Sequence, residues 1–132
     1  VSERYFIDTS VWVEYFRDPG FPLGDLIDTL IQDDHVAVNG IVLTELLTGA
    51  KGDRENGLLL DTLGGLRFLD MPASFFERAG RHGRLLKSAG LSLPLSDLLI
   101  ATHCLDHDLV LIDKDRHFEI FAKHLPLRRL KR

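Results

Sequence analysis

With 132 residues the chain is the size of one domain with one core, and its 45% hydrophobic and 27% charged residues exclude a fibrous, low-complexity or disordered protein. No apolar run approaches the ~18 residues of a membrane span, no basic stretch leads into an apolar leader, and the lone Cys104 allows no internal disulfide, so a reducing cytoplasmic setting is expected. The formal net charge of −4 excludes bulk positive charge as the means of holding a nucleic acid, although Arg78, Arg81, Arg84 and Lys87 share one segment and Arg128, Arg129, Lys131 and Arg132 crowd the C-terminus.

Along the chain, apolar periodicity alternates short strands with helices. Residues 4–8 read as a buried strand, and 10–17 as a helix broken by Asp18-Pro19-Gly20. Leu23, Leu26, Ile27, Leu30 and Ile31 predict a helix over 23–33, followed by a brief strand at 36–38. Helices follow at 41–50 and 54–63, the second closed by Gly64-Gly65. A strand at 67–70 leads to a longer helix at 73–88, which ends near Gly90. Residues 95–107 form a further helix, with Ser96 as a candidate cap. "LVLI" at 109–112 is a continuous apolar strand, and a last strand is predicted within 125–130. This alternation predicts one α/β domain over 1–132, with a mainly parallel sheet of about four to five strands flanked by helices.

Ligands of such sheets bind beyond the carboxyl ends of the strands. Asp8 ends the first strand, and Asp113 and Asp115 follow the strand at 109–112. Taken alone, Asp8 has two readings: a helix cap beside Thr9 and Ser10, or a ligand. Asp97 shares its helix arc with Leu98, Ile100, Ala101, Cys104 and Leu105, while Thr102, His103, Asp106 and His107 fall opposite. A carboxylate on a core-facing arc needs a partner. A first-turn acid also complements the helix dipole, so the wheel leaves both readings open. Glu45 shares an arc with Thr44 and Thr48, a pattern that by itself favours a solvent face. Converging carboxylates repel one another unless a cation joins them. Hard divalent ions such as Mg²⁺ or Mn²⁺ take oxygen ligands, and an acid set without zinc-like spacing points to phosphodiester chemistry by metal-activated water.

The ordered set Asp8-Thr9-Ser10, Thr44-Glu45, Ser96-Asp97 and Asp115-Arg116-His117-Phe118 resembles the PIN domain, and more narrowly the VapC toxins of toxin–antitoxin pairs. The segments "FIDTSVWVEYF", "IVLTELLTGA" and "LSLPLSDLLIATHCLDHDLVLIDKDRHFEIFA" carry the likeness in order across nearly the whole chain. It implies a Rossmann-like fold and a Mg²⁺-dependent endoribonuclease, with Mn²⁺ as the other candidate ion. By the same likeness Asp8, Glu45, Asp97 and Asp115 are the catalytic and metal-binding acids, and Ser10 assists. Water attacks the phosphorus in such enzymes, leaving a 3′-hydroxyl and a 5′-phosphate. Their RNA substrates are of the tRNA or rRNA class. A homodimer is implied, as is a VapB-type antitoxin whose C-terminal segment covers the acidic groove. One departure stands out: Asp113-Lys114-Asp115 puts an acid where the family often has Thr or Ser. Asp113 is accordingly kept as an auxiliary residue that could add a ligand, support one, or only occupy the turn.

Arg81, Arg84 and Lys87 recur every third residue and form one helical face, expected to contact the RNA backbone. Trp12 is expected in the core or at a dimer contact rather than stacked on a base, and Cys104 as inert core. His117 is the histidine nearest the acids, with a loop-packing role expected. Two other readings compete. A catalytically silent PIN-like RNA-binding scaffold would be expected to lack one of the acids, and all four are present. An aspartate-based phosphatase would be expected to carry a second acid two residues after Asp8, where this chain has Ser10.

Overall fold

The computed structural model describes residues 3–131; Val1, Ser2 and Arg132, the last cation of the basic tail, lie outside the described residues. Twelve elements follow in chain order. They are β1 (Tyr5–Ile7), α1 (Thr9–Arg17), α2 (Gly24–Gln32), β2 (Val36–Val38), α3 (Gly40–Thr48) and α4 (Asp53–Gly64). The second half comprises β3 (Arg67–Phe68), α5 (Ala73–Ser88), α6 (Leu95–His107), β4 (Val110–Ile112), α7 (Arg116–His124) and β5 (Arg128–Arg129).

The strands form one parallel sheet in the order β3-β2-β1-β4-β5. Parallel pairing requires helical crossovers, which cover both faces of the sheet. That is why Val36–Val38 and Val110–Ile112 are buried at every position. The edge strands β3 and β5 are only two residues long, which limits the unpaired backbone they offer to another chain. From β1 the chain crosses to β2 on one side, and later to β4 on the other. The strand order therefore reverses between β1 and β4, the place where open α/β sheets hold ligands.

The predicted α/β class and the parallel sheet match this architecture. The departures lie in three places. Residues 116–124 form a helix that was not among the predicted elements. Phe118 and Phe121, three residues apart, are fully buried, and Asp115 caps its start. The helical wheel of α6 also misplaces one face: Thr102 and His103, set opposite the core, are buried. This helix is covered from both sides, so no solvent arc exists at its centre. Pro94 stands at the cap position of α6 rather than Ser96. Trp12 lies in the core as expected, stacked on Phe16 with ring centres 5.7 Å apart.

Candidate metal centre

Asp8 follows β1 directly, and its amide continues the sheet by donating to the Ile112 carbonyl at 3.0 Å. Its backbone stands at the cap position of α1, but its side chain caps nothing. The carboxylate instead accepts a hydrogen bond from the Ser10 hydroxyl at 2.8 Å. Burial pushes this carboxyl up from 3.8 to about 6, the Ser10 bond opposes that rise, and the nearby charge of Asp97 adds to it.

Glu45 projects from the middle of α3. The helix is held at its start by Asn39, whose side-chain oxygen accepts from the Val42 amide at 3.0 Å. Glu45 is exposed, as its periodicity indicates. It is not idle there, because the Thr9 hydroxyl donates to it at 2.7 Å. Consecutive hydroxyls of α1 thus orient two different carboxylates, Ser10 that of Asp8 and Thr9 that of Glu45.

Asp97 sits in the first turn of α6 and is only 8% exposed. Burial raises its carboxyl, a hydrogen bond from His117 opposes the rise, and the charges of Asp115 and Glu45 reinforce it. Asp115 caps α7, accepting from the His117 amide at 2.9 Å. The His117 Nδ1 lies 2.8 Å from Asp97 and 3.2 Å from Asp115, so one imidazole bridges both acids. Its bond to Asp97 pushes the imidazole up, burial works against this, and Asp115 adds to the rise.

Asp97 is thus the hub of the constellation, coupled to Asp8, Glu45 and Asp115 from four different elements or their flanks. Ligand atoms of Asp97, Asp115 and His117 lie within 4.8 Å of one another. Burial and neighbouring charge raise the proton affinity of Asp8 and Asp97, and a bound cation would relieve both effects. The oxygen-rich set suits a hard divalent cation, and Asp8, Asp97 and Asp115 would hold it, with Glu45 at the outer margin.

Asp113, the auxiliary candidate, is paired with a cation. Its buried carboxylate forms a two-point pair with the Arg129 guanidinium at 2.7 and 2.9 Å, tying the end of β4 to β5. Arg81, Arg84 and Lys87 are exposed on α5, and among the described residues none contacts a site carboxylate. Their neighbour Arg78 differs, being fixed to Asp106 of α6 by three hydrogen bonds. His117 is the site residue that the sequence reading set aside as loop packing. Its position two residues after a helix-capping acid was the available signal, but the contact with Asp97 spans 20 residues.

A second, largely buried set of bonds fixes the helices that carry these acids. Asn39 Nδ2 donates to His103 Nδ1 at 2.9 Å, and His103 Nε2 donates to the Asp70 carbonyl at 3.0 Å. The Asn39 orientation follows from its oxygen accepting the Val42 amide, which leaves only its nitrogen to face the imidazole. This chain of bonds links the start of α3 to the centre of α6, and Phe75 of α5 stacks on the ring at 4.2 Å.

Residues 5–124 match the family model of the PIN domain. The chain belongs to the PIN domain family. Among curated PIN relatives, ribonuclease VapC11 of Mycobacterium tuberculosis is 29% identical over 121 residues, covering 89% of this chain and 90% of the relative. The VapC ribonuclease Mb1587 of Mycobacterium bovis matches to the same extent. Among solved structures, VapBC2 from Rickettsia felis, bound to a DNA fragment from its promoter, superposes with a TM-score of 0.79 at 25% identity, covering 96% of each chain. DNA-bound VapBC from Salmonella typhimurium shares the PIN fold with a TM-score of 0.80 at 17% identity, covering 98% of each chain.

Proposed function

We propose that this PIN domain, acting as a single unit over 1–132, is a VapC-type toxin: a Mg²⁺-dependent endoribonuclease, with Mn²⁺ as the alternative ion, restrained by a VapB-type antitoxin. The observation that carries the reading is Asp97, a buried first-turn carboxylate coupled to Asp8, Glu45 and Asp115 at the carboxyl edge of the sheet. The VapC ribonuclease relatives, matched over about nine-tenths of the chain, support the same reading.

Asp8, Asp97, Asp115 and Glu45 would hold the divalent ion, which when bound would lower the pKa of a water and offset charge on the leaving oxygen. The protein's own part is positional. Ser10 holds Asp8 toward the site, Thr9 holds Glu45, and His117 holds Asp97 and Asp115 in mutual register. Arg81, Arg84 and Lys87 offer exposed cations to the phosphates flanking the scissile bond in an RNA of the tRNA or rRNA class. The protein works as a homodimer in the cytoplasm, and no helix among the described residues is long and apolar enough to cross a membrane. The antitoxin's C-terminal segment covers the acidic groove.

The direct test incubates purified protein with total RNA and Mg²⁺, and maps the ends produced. Discrete 5′-phosphate ends, lost on chelation and reduced at least ~100-fold by Asp8→Asn or Asp97→Asn, are expected. Full cleavage by both variants, or cleavage in the presence of chelator, refutes the assignment.

A further inference from the structure

The opposite end of the sheet holds a second concave site with reversed electrostatics. A cavity of about 80 Å³ opens at the amino ends of the central strands, lined by Arg4, His35, Arg67 and His107 over a floor of Val36, Ala37, Leu69 and Leu109. Sheet register brings these cationic and imidazole groups together. Tyr5 pairs with both Val36 and Val110, so Arg4 stands between His35 and Leu109. Ala37 pairs with Arg67, and side chains two residues apart share a face, which puts Arg67 on the same side as His35 and Arg4. His107 closes the ring from the end of α6, its imidazole 5.7 Å from that of His103.

Arg4 and Arg67 approach the cavity from either side of β2, and an anion held between them would offset both charges. No carboxylate lines this cavity. The Arg4 side chain donates only to the Asp34 carbonyl, at 3.4 Å, and the Arg67 side chain forms no hydrogen bond or ion pair among the described residues. This contrasts with Arg78, Arg128 and Arg129, each held by an acid. Two guanidiniums without a carboxylate partner, beside two imidazoles that can each donate a hydrogen bond, form a donor-rich cradle over an apolar floor.

We propose that this cavity is an oxyanion site that takes a single phosphate group, separate from the carboxylate centre and independent of the function proposed above. The space suits one tetrahedral anion between the two arginines, with any attached group directed outward to solvent. The phosphate is either free inorganic phosphate or the terminal phosphate of a nucleotide.

The test is titration of the full chain, in chelator and at low salt, with inorganic phosphate, with a nucleoside 5′-monophosphate and with the unphosphorylated nucleoside, read by calorimetry. Saturable binding of phosphate is expected, weakened about tenfold or more by Arg4→Gln and by Arg67→Gln. Both side chains are exposed, so circular dichroism should show intact folds. Lys123→Gln, an equal charge change on α7, should leave the affinity unchanged. Equal affinity for phosphate and monophosphate identifies the free ion as ligand, whereas tighter monophosphate binding identifies a nucleotide terminus. Binding of the bare nucleoside, absence of saturable phosphate binding, or equal weakening by Lys123→Gln overturns the proposal.

Discussion

The imidazole of His117 hydrogen-bonds the buried carboxylate of Asp97 at 2.8 Å, joining the first turn of α7 to the first turn of α6. The same ring touches Asp115, so the relative placement of two acids from distant segments depends on one side chain. A residue in this position tunes and orients ligands. His117→Ala is therefore expected to weaken Mn²⁺ affinity by about 10- to 100-fold and RNA cleavage by a similar factor, less than Asp97→Asn does. Calorimetric titration with Mn²⁺ decides this: unchanged affinity in the variant would make His117 a bystander.

Asp8 makes stability depend on pH in an uncommon direction. Its carboxyl is raised from 3.8 to about 6 by burial, with Ser10 opposing and Asp97 adding. As pH rises from about 4, the unfolded chain ionises this group first, and the folded state loses stability until about pH 6. Above that the penalty is constant, at most ~3 kcal/mol. Asp8→Asn removes it, so the metal-free variant should melt several degrees above the parent at about pH 7.5 and show no gain near pH 4. Mg²⁺ should raise the melting temperature of the parent and not of the variant. A variant that melts lower at neutral pH contradicts the electrostatic account.

His103 supplies the opposite dependence. Burial holds its imidazole below 6.5, with the Asp70 carbonyl bond acting the other way. When pH falls through 6.5 the unfolded chain takes up the proton first, so the contribution of the neutral ring is lost. Protonation would set an N–H against the Asn39 amide, which cannot turn because its oxygen holds Val42. Asn39→Ala should cost ~2–3 kcal/mol, combining a lost helix cap with an unpaired buried nitrogen. Urea midpoints followed from about pH 7.5 to 5 should fall more steeply for the parent than for His103→Gln. Parallel curves would remove His103 from the acid response.

Asp113 and Arg129 should behave as a structural pair. Removing the cation alone, as in Arg129→Met, leaves a buried carboxylate beside fewer partners and should destabilise by ~3 kcal/mol. Asp113→Asn should leave Mn²⁺ affinity within about twofold, since the carboxylate is directed to Arg129. A large loss of metal affinity in that variant would return Asp113 to the ligand set.

The exposed face of α5 is testable by salt dependence. Each of Arg81→Gln, Arg84→Gln and Lys87→Gln should weaken RNA binding and lower the slope of log affinity against log salt by about 0.7–1. Filter binding across a salt series measures this, and an unchanged slope in all three places the RNA elsewhere.

Much of the architecture was legible because local patterns and global topology agree here. Strand–helix alternation specifies a parallel sheet, and an acid directly after a strand lies at its carboxyl edge whatever the loop does. The helix at 116–124 was legible too, in the i, i+3, i+4 spacing of Phe118, Phe121 and Ala122, although no helix was predicted there. The burial of Thr102 and His103 was invisible, since a wheel assumes one solvent face and α6 has none at that level.

The amino-acid sequence by itself determined the α/β class, the order of acids along the chain, and the positions of Asp8 and Asp115 after strands and of Asp97 in a first turn. These depend on residue type and spacing, which act within a few residues. Only the tertiary structure decided that Thr9 serves Glu45, that Asp113 turns to Arg129, and that His117 reaches Asp97. It also decided that Arg4, just before β1, and Arg67 of β3 line one cavity. Such choices are made by sheet order and crossovers, which bring distant side chains within hydrogen-bond reach, and no local pattern encodes a distance between segments remote in the chain.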